Sequence, residues 1–481
     1  MSKYPQAFID RMKVYLRDEF DAFMLSLDEP VTTSVRLNPE KIKLADSSLP
    51  FDKKIAWTES GYYLSERPSF TFDPMFHAGT YYVQESSSMF LEQAFRSIPD
   101  GDSAIRVLDL CAAPGGKSTH LLSLMNEDSL LVSNEPIASR NHILRQNLAR
   151  WGNANVIVTQ NKAEDFAKLG HFFDVIVIDA PCSGEGLFRK DKNAINEWSE
   201  ANVTMCAERQ QDILSNIVQC LKPNGYLIYS TCTFEEAENL SNINYLIMEQ
   251  GMESLCIQNA DSFKPELTSV SIGEAKGYAF YPHRTKGEGF FISLLRKKGH
   301  SIERSLTQQK TTNDKTTNEL LPYLSQFVND AEKFSVLKHQ PYFNILPTVF
   351  MNDYKRLAQH LYIRNAGISA GEIKGKDFIP AHELSLYQGF KTDFPNAELD
   401  MRSAISYLKA ESISIPTDHK GWMTVKYKGA NLGFVKALPN RINNYFPKEW
   451  RILKSQIQKR PEATACGTRG LTASIKNRLV L

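Results

Sequence analysis

The chain has 481 residues, 42% hydrophobic and 23% charged, which suits a soluble protein of roughly two to four domains. It excludes collagen-like, wholly disordered and disulfide-miniprotein classes. Lys and Arg number 56 against 55 Asp and Glu, so a polyanionic partner must be held by local basic patches and not by net charge. The 7 cysteines are odd in number and form no C-x-x-C pair, which argues against a disulfide framework or a thiolate zinc site. No metal is expected, and free thiols imply a reducing compartment. The N-terminus is charged through its apolar stretch and no apolar run of about 18 residues occurs, so the cytoplasm is the expected location.

From Pro5 to Leu27, the residues Phe8, Met12, Leu16, Phe20, Phe23, Met24 and Leu27 recur at helical spacing and open a lid-like unit. Short strand-like pieces in TTSVRLNPEK and WTESGYYL follow, then a helix in SSSMFLEQAF, giving an α+β extension over residues 1–100. From 101 to 298 strands and helices alternate. Strands are read in AIRVLDL, SLLVSNE, NVIVTQ, FDVIVIDA, GYLIYSTC and EGFFISLLRK. Helices are read after Lys117 and in IASRNHILRQNLARW, ERQQDILSNIVQCL and EEAENLSNINYLIM. That order predicts a doubly wound α/β domain, a parallel sheet covered on both faces. Polar residues 299–320 read as a linker, 321–395 as a mixed α/β piece and 396–460 as a β-rich unit. Within the last, GWMTVKYKGANLGFVKAL reads as two strands around a Lys-Gly-Ala-Asn turn. Residues 461–481 have no readable period, are basic, and are expected to be a disordered tail.

The first α/β strand ends at Asp109-Leu110 and runs into Cys111-Ala112-Ala113-Pro114-Gly115-Gly116-Lys117 and a helix. Small residues and paired glycines let a ligand approach backbone amides at the carboxyl edge of the sheet, so a nucleotide-like ligand is expected. Gly116-Lys117-Ser118 matches the end of a P-loop, but Cys111 stands where that motif needs glycine; a P-loop ATPase is the minor alternative. Glu135 ends the second strand. It is placed to take both ribose hydroxyls of an adenosine or, alternatively, to stabilise the start of the next helix beside Pro136.

Phe173–Asp179 reads as a buried strand running into Ala180-Pro181-Cys182-Ser183-Gly184, and Tyr226–Ser230 as one running into Thr231-Cys232-Thr233. Side by side, their ends lie about 5 Å apart, so two thiols emerge together at the ligand-binding edge. Cys206, Cys220 and Cys256 read instead as small buried hydrophobes. Asp179 either works beside the thiols or caps its own loop.

DLCAAPGGKS (109–118), FDVIVIDAPCSG (173–184) and STCT (230–233) together resemble the Sun/Nop-type RNA cytosine-5 methyltransferases. SVRLNP, GTYYVQESSSM, RQNLARWG and GEGLFRKD are similar to that family's flanking motifs, while GISAGEIKGKDFIPAHELSL and LGFVKALPNRINNYFPKEW resemble the C-terminal half of its bacterial RsmF (YebU) branch. The resemblance implies a class I, Rossmann-like S-adenosylmethionine methyltransferase domain with an N-terminal RNA-binding or lid extension and a PUA-like C-terminal domain. The implied reaction is methylation of carbon 5 of a cytosine in 16S ribosomal RNA, with transfer RNA as the alternative. Ribosomal RNA or the ribosomal subunit is the implied partner, no membrane is involved, and a monomer is expected.

Carbon 5 of cytosine is a poor nucleophile until a thiolate adds to carbon 6. The resemblance assigns that addition to Cys232, release of the adduct to Cys182 and a ring contact to Asp179. Reversed cysteine roles are the alternative, because DNA cytosine-5 methyltransferases use the Pro-Cys position. The implied cofactor contacts are the Cys111–Lys117 loop, Glu135 and Asp179. Lys162 stands where many relatives have an acidic residue for the adenine, with Asn161 or a backbone carbonyl as the substitute. Lys117, Arg189 or Lys190 is expected to lower a thiol pKa. Arg189, Lys190 and Lys192 are phosphate candidates, whereas Arg140, Arg145 and Arg150 spread around their helix. In the PUA-like unit Lys426, Lys428, Lys436, Arg441 and an exposed Trp422 are the candidate RNA face, or else the solvent side of an ordinary sheet.

Overall fold

The structure, a computed structural model, describes residues 3–99, 103–299, 315–339 and 341–453; most of the expected linker and the whole basic tail lie outside these. The N-terminal apolar periodicity forms two helices, α1 (Gln6–Leu16) and α2 (Phe20–Ser26), because a turn at Arg17–Glu19 breaks it. Their apolar faces meet through Phe8, Met12 and Phe23. An antiparallel sheet follows, formed by β1 (Ser34–Leu37), β2 (Phe51–Lys54), β3 (Gly61–Leu64) and β4 (Tyr81–Val83) in the order 2-3-1-4.

The expected α/β alternation is realised by β5 (Arg106–Asp109), β6 (Leu130–Asn134), β7 (Val156–Thr159), β8 (Phe173–Asp179) and β9 (Leu221–Thr231). They are parallel in the order 9-8-5-6-7. Both faces are buried, which is why these strands are almost continuously apolar. Val107, Val175, Val177 and Ile228 enter one core, and Leu108, Ile176, Ile178 and Leu227 the other. Each such side chain contributes about 1.5–3 kcal/mol on leaving water. Chain order reverses between β5 and β8, so a crevice opens at their carboxyl ends.

The sheet continues past the parallel core with β10 (Met252–Leu255), β11 (Leu267–Ile272), β12 (Ala275–Phe280) and β13 (Phe290–Lys297), all antiparallel to their neighbours. Only β13 is legible in the sequence; β11 has a single buried residue, Leu267, and too little apolar alternation to announce itself.

Helix Lys315–Leu324 begins inside the stretch read as a linker. The C-terminal half then forms β14 (Phe334–His339), β15 (Tyr342–Pro347), β16 (Ile363–Ala366), β17 (Ile368–Lys374) and β18 (Asp377–Pro380). Strand β16 leaves its neighbours and pairs with β7, Ile363 opposite Thr159 and Ala366 opposite Ile157, so four residues from the expected intermediate piece belong to the α/β sheet. The last sheet contains β19 (Asn396–Glu398), β20 (Gly421–Tyr427), β21 (Ala430–Leu438) and β22 (Arg441–Asn444). Its hairpin turns at Lys428-Gly429, both at positive φ. Trp422 is half-buried against Phe434 and Tyr445, with Lys436 over its ring, so it is not the exposed platform expected from the sequence.

Arg150 joins the three parts: its guanidinium lies 5.3 Å from the Phe76 ring and 5.2 Å from the Trp450 ring. Among the described residues no helix is long and apolar enough to cross a membrane. The N-terminal helices are tied to the α/β domain by Glu19, which accepts from Arg284 and from His283 at 2.8 Å. Arg284 first, then His283, pull the Glu19 carboxyl down to about 2. A depressed carboxylate contributes stability that is present above its unfolded pKa and lost as pH falls toward the folded value. Glu19→Gln is therefore expected to lower the melting temperature at pH 6, with the gap to the native protein closing between pH 4.5 and 2; a constant gap measured by thermal unfolding would show the pair to be irrelevant.

Candidate active site

The loop after β5 is shaped by its glycines. Gly115 sits at φ 116°, a conformation L-residues avoid, and a Cβ there would also crowd Leu144 at 3.3 Å. This bend starts helix Gly116–Leu124 with its amides at the crevice. The next two side chains turn in different directions. Lys117 reaches across to Asp179 at the end of β8, 2.8 Å away. Ser118 points inward and donates to Asp109 Oδ2 at 2.6 Å, receiving in turn from Ser133 at 3.0 Å. A P-loop serine must face a metal ion, so this inward Ser118 removes the ATPase alternative. No cluster of metal-ligating side chains occurs among the described residues.

Burial pushes the Asp109 carboxyl up to about 7, against the Ser118 hydrogen bond and the Lys117 charge. Burial also works against the Lys117 ammonium, yet Asp179, Asp109 and the Cys232 thiol together hold its pKa above the ordinary lysine value. Burial likewise raises the Cys111 thiol, which leaves it an inert wall residue.

A cavity of about 180 Å³ lies between this loop and the N-terminal extension. Cys111, Ala112, Ala113, Pro114, Gly116, Lys117 and Asp179 line one side. Tyr82, Gln84, Glu85 and Ser88, from β4 and the segment after it, line the other. These four were not singled out from the sequence. A three-residue strand has no period to read, and the buried Arg36 that holds Gln84 Oε1 at 3.0 Å is far away in the chain. Glu135 is buried at the end of β6, and burial raises its pKa. One carboxylate oxygen accepts from Ile137 N at 2.9 Å, just before the next helix; the other faces Arg140 at 3.5 Å. Arg140 also donates to Ala113 O, fastening the loop.

Lys162 does not join the cavity. Its side chain is 76% exposed beside Glu164. The Asn161 amide oxygen is already used, accepting from Tyr362 N at 3.0 Å where β16 approaches the sheet.

The cysteines do converge. Strands β8 and β9 pair in parallel with Asp179 opposite Ser230, so Cys182 and Cys232 leave the sheet side by side with their sulfurs 3.2 Å apart. Their loops are fastened together by a Ser183–Thr233 hydroxyl contact at 2.9 Å and by Gly186 N donating to Cys232 O at 2.8 Å. The hydrogen bond with Cys232 first, then burial, drive the Cys182 thiol well above its ordinary range. Either sulfur can donate to the other across this contact. Of the cysteines expected to be structural, Cys206 and Cys220 are buried, while Cys256 is exposed.

Lys190 and Lys192 are exposed beyond the Pro-Cys loop, as phosphate contacts require. Arg189 is not available for that role. Its side chain is 3% exposed, paired with Glu288 at 3.0 Å and bonded to Gly287 O at 2.6 Å. Breaking such a buried pair costs about 3–5 kcal/mol.

Comparison with known proteins assigns the chain. Family models match in three consecutive blocks: the N-terminal domain of 16S rRNA methyltransferase RsmF over residues 4–86, 16S rRNA methyltransferase RsmB/F over 99–296, and the methyltransferase RsmF PUA domain over 394–452. Ribosomal RNA small subunit methyltransferase F of Shewanella loihica is 30% identical over 93% of this chain and 96% of its own length. The chain belongs to the RsmF family of 16S rRNA methyltransferases. The namesake from Shewanella piezotolerans is also 30% identical, over 95% of this chain and 99% of its own. A solved methyltransferase homolog from Pyrococcus horikoshii superposes with a TM-score of 0.53 at 28% identity, covering 61% of this chain and 95% of that one. The protein is thus an enzyme of the methyltransferase class, with a Rossmann-like domain between an α+β extension and a PUA-like domain.

The two thiols differ in a way that alkylation can read. At pH 8, limiting iodoacetamide is expected to label Cys232 ahead of Cys182, by peptide mass mapping; preferential labelling of Cys182 would place the thiolate on the other sulfur.

Proposed function

We propose that the protein transfers a methyl group from S-adenosylmethionine to carbon 5 of a cytosine in 16S ribosomal RNA, through a covalent bond from Cys232 to carbon 6. The observation that carries this reading is the contact of two thiols at 3.2 Å beside the Lys117–Asp179 cavity. Membership of the RsmF family supports the ribosomal substrate.

The Gly115 bend, the Gly116 and Lys117 positions that line the cavity and the Glu135 carboxylate would hold S-adenosylmethionine, with Lys117 and Asp179 assigned to its reactive end. When bound, it supplies an electrophilic sulfonium methyl group. Cys232 acts first. Its sulfur lies 3.2 Å from that of Cys182 and within the field of the Lys117 ammonium. Addition to carbon 6 makes carbon 5 enamine-like, and Asp179, fixed by Lys117 and by Ser230 Oγ at 2.9 Å, holds the proton at ring N3.

Cys182 acts second. Its contact with Cys232 is the first cause that raises its thiol, and that contact is altered once Cys232 has bonded to carbon 6. Cys182, its own proton given up to solvent, then takes the carbon-5 proton, and the Cys232–carbon-6 bond breaks with its electron pair returning to Cys232, which releases the product. The target base must leave its stack to reach these sulfurs, and the exposed Lys190 and Lys192 suit the flanking phosphates.

Denaturing gels of protein incubated with S-adenosylmethionine and 16S rRNA test the assignment. Cys232→Ala is expected to form no covalent RNA complex, and Cys182→Ala to accumulate one; the opposite pattern reverses the roles. Bisulfite sequencing of cellular RNA with and without the protein is expected to show one 16S cytosine losing its methyl group, and a loss confined to transfer RNA would overturn the substrate.

A further inference from the structure

The loops that carry the two cysteines share one external support. Glu185, three residues after Cys182, is fully buried and accepts from Trp198 Nε1 at 2.8 Å, from Phe234 N at 3.1 Å and from the Arg11 guanidinium at 2.6 Å. Arg11 lies on α1 and also pairs with Glu235, three residues after Cys232. One guanidinium therefore bridges the Cys182 loop and the Cys232 loop. Apolar contacts repeat the arrangement. The Phe8 ring of α1 meets Phe188 of the first loop edge-on at 5.0 Å, and the Phe23 ring of α2 meets Phe234 of the second at 5.2 Å. Between the loops the backbones touch directly: a Cβ on Gly186 would lie 2.8 Å from Cys232 O and 2.5 Å from Gly289 O.

From these contacts we infer that the α1–α2 pair is a fixed strut setting the separation of the two thiols, with Arg11 as its positioning residue. The inference rests on the two-thiol chemistry proposed above. Without the guanidinium, Glu185 and Glu235 would face each other as carboxylates with no cation between them, and their repulsion would part the loops. Arg11 reaches neither the cavity lining nor the Lys117–Asp179 pair, so cofactor binding is independent of it.

Steady-state kinetics on the full chain test the strut. Arg11→Met is expected to lower kcat about 10–100-fold, as a displacement of about an ångström at reacting groups does. KM for S-adenosylmethionine should stay within about twofold. Arg11→Lys should recover part of kcat, since an ammonium neutralises the carboxylates without forking between them. Glu235→Gln loosens only the Cys232 side, keeps Glu185 paired, and serves if Arg11→Met fails to fold; it is expected to slow covalent adduct formation on RNA. A chemical ruler reads the spacing without catalysis: phenylarsine oxide condenses with two adjacent thiols, releasing water, and its affinity should fall about tenfold or more in Arg11→Met. Native kcat with native arsenical affinity in either folded variant would overturn the strut, as would equal losses in kcat and cofactor affinity. A native protein that forms no RNA adduct but loses arsenical affinity on Arg11→Met would sink the two-thiol chemistry and leave the strut standing.

Discussion

The parallel pairing of β8 with β9 is the constraint on which the site depends. Its register sets Asp179 opposite Ser230, and from there three residues lead to Cys182 and two to Cys232. Adjacent parallel strands are about 4.8 Å apart, so sulfurs leaving neighbouring ends meet with little further adjustment. A different strand order would separate the thiols by at least one more strand and abolish their hydrogen bond. The same register brings Ser230 Oγ to Asp179, which links the thiol pair to the cavity.

Around that pairing, electrostatics divide labour between groups of the same type. Asp109 and Asp179 end neighbouring strands, yet one is sealed beneath the loop with a carboxyl pushed up to about 7 and the other is partly open and paired with Lys117. Cys111 and Cys182 are both raised, Cys111 first by burial and then by the carboxylates around it, Cys182 first by its contact with Cys232 and then by burial.

The chain on either side of the α/β domain is structural to the site or to its sheet. β4 and the segment after it supply one wall of the cavity, and α1 and α2 brace the cysteine loops. On the far edge β16 covers β7, which would otherwise present an unpaired row of backbone groups. Arg106 adds to this joint by reaching Asp353 at 2.8 Å and stacking over Phe350. The C-terminal half is consequently part of the same folded body, and cutting the chain at residue 321 would strip an edge strand from the catalytic sheet.

The sequence by itself determined the α/β order, the ligand loop at Cys111–Lys117 and the strand-end position of both cysteines, because each is local: a run of buried residues, a glycine bend, a residue count past a strand. Tertiary structure alone decided what those residues meet. Arg189 looked like a phosphate contact and is buried on Glu288; Trp422 looked exposed and is packed; Lys162 sits at the adenine position of the resemblance and faces solvent. In each case the deciding partner lies on another element, and side-chain direction depends on that partner and not on neighbours in the chain. The 3.2 Å contact between Cys182 and Cys232 belongs to the same class: 50 residues separate them, and only the register between two strands brings their sulfurs together.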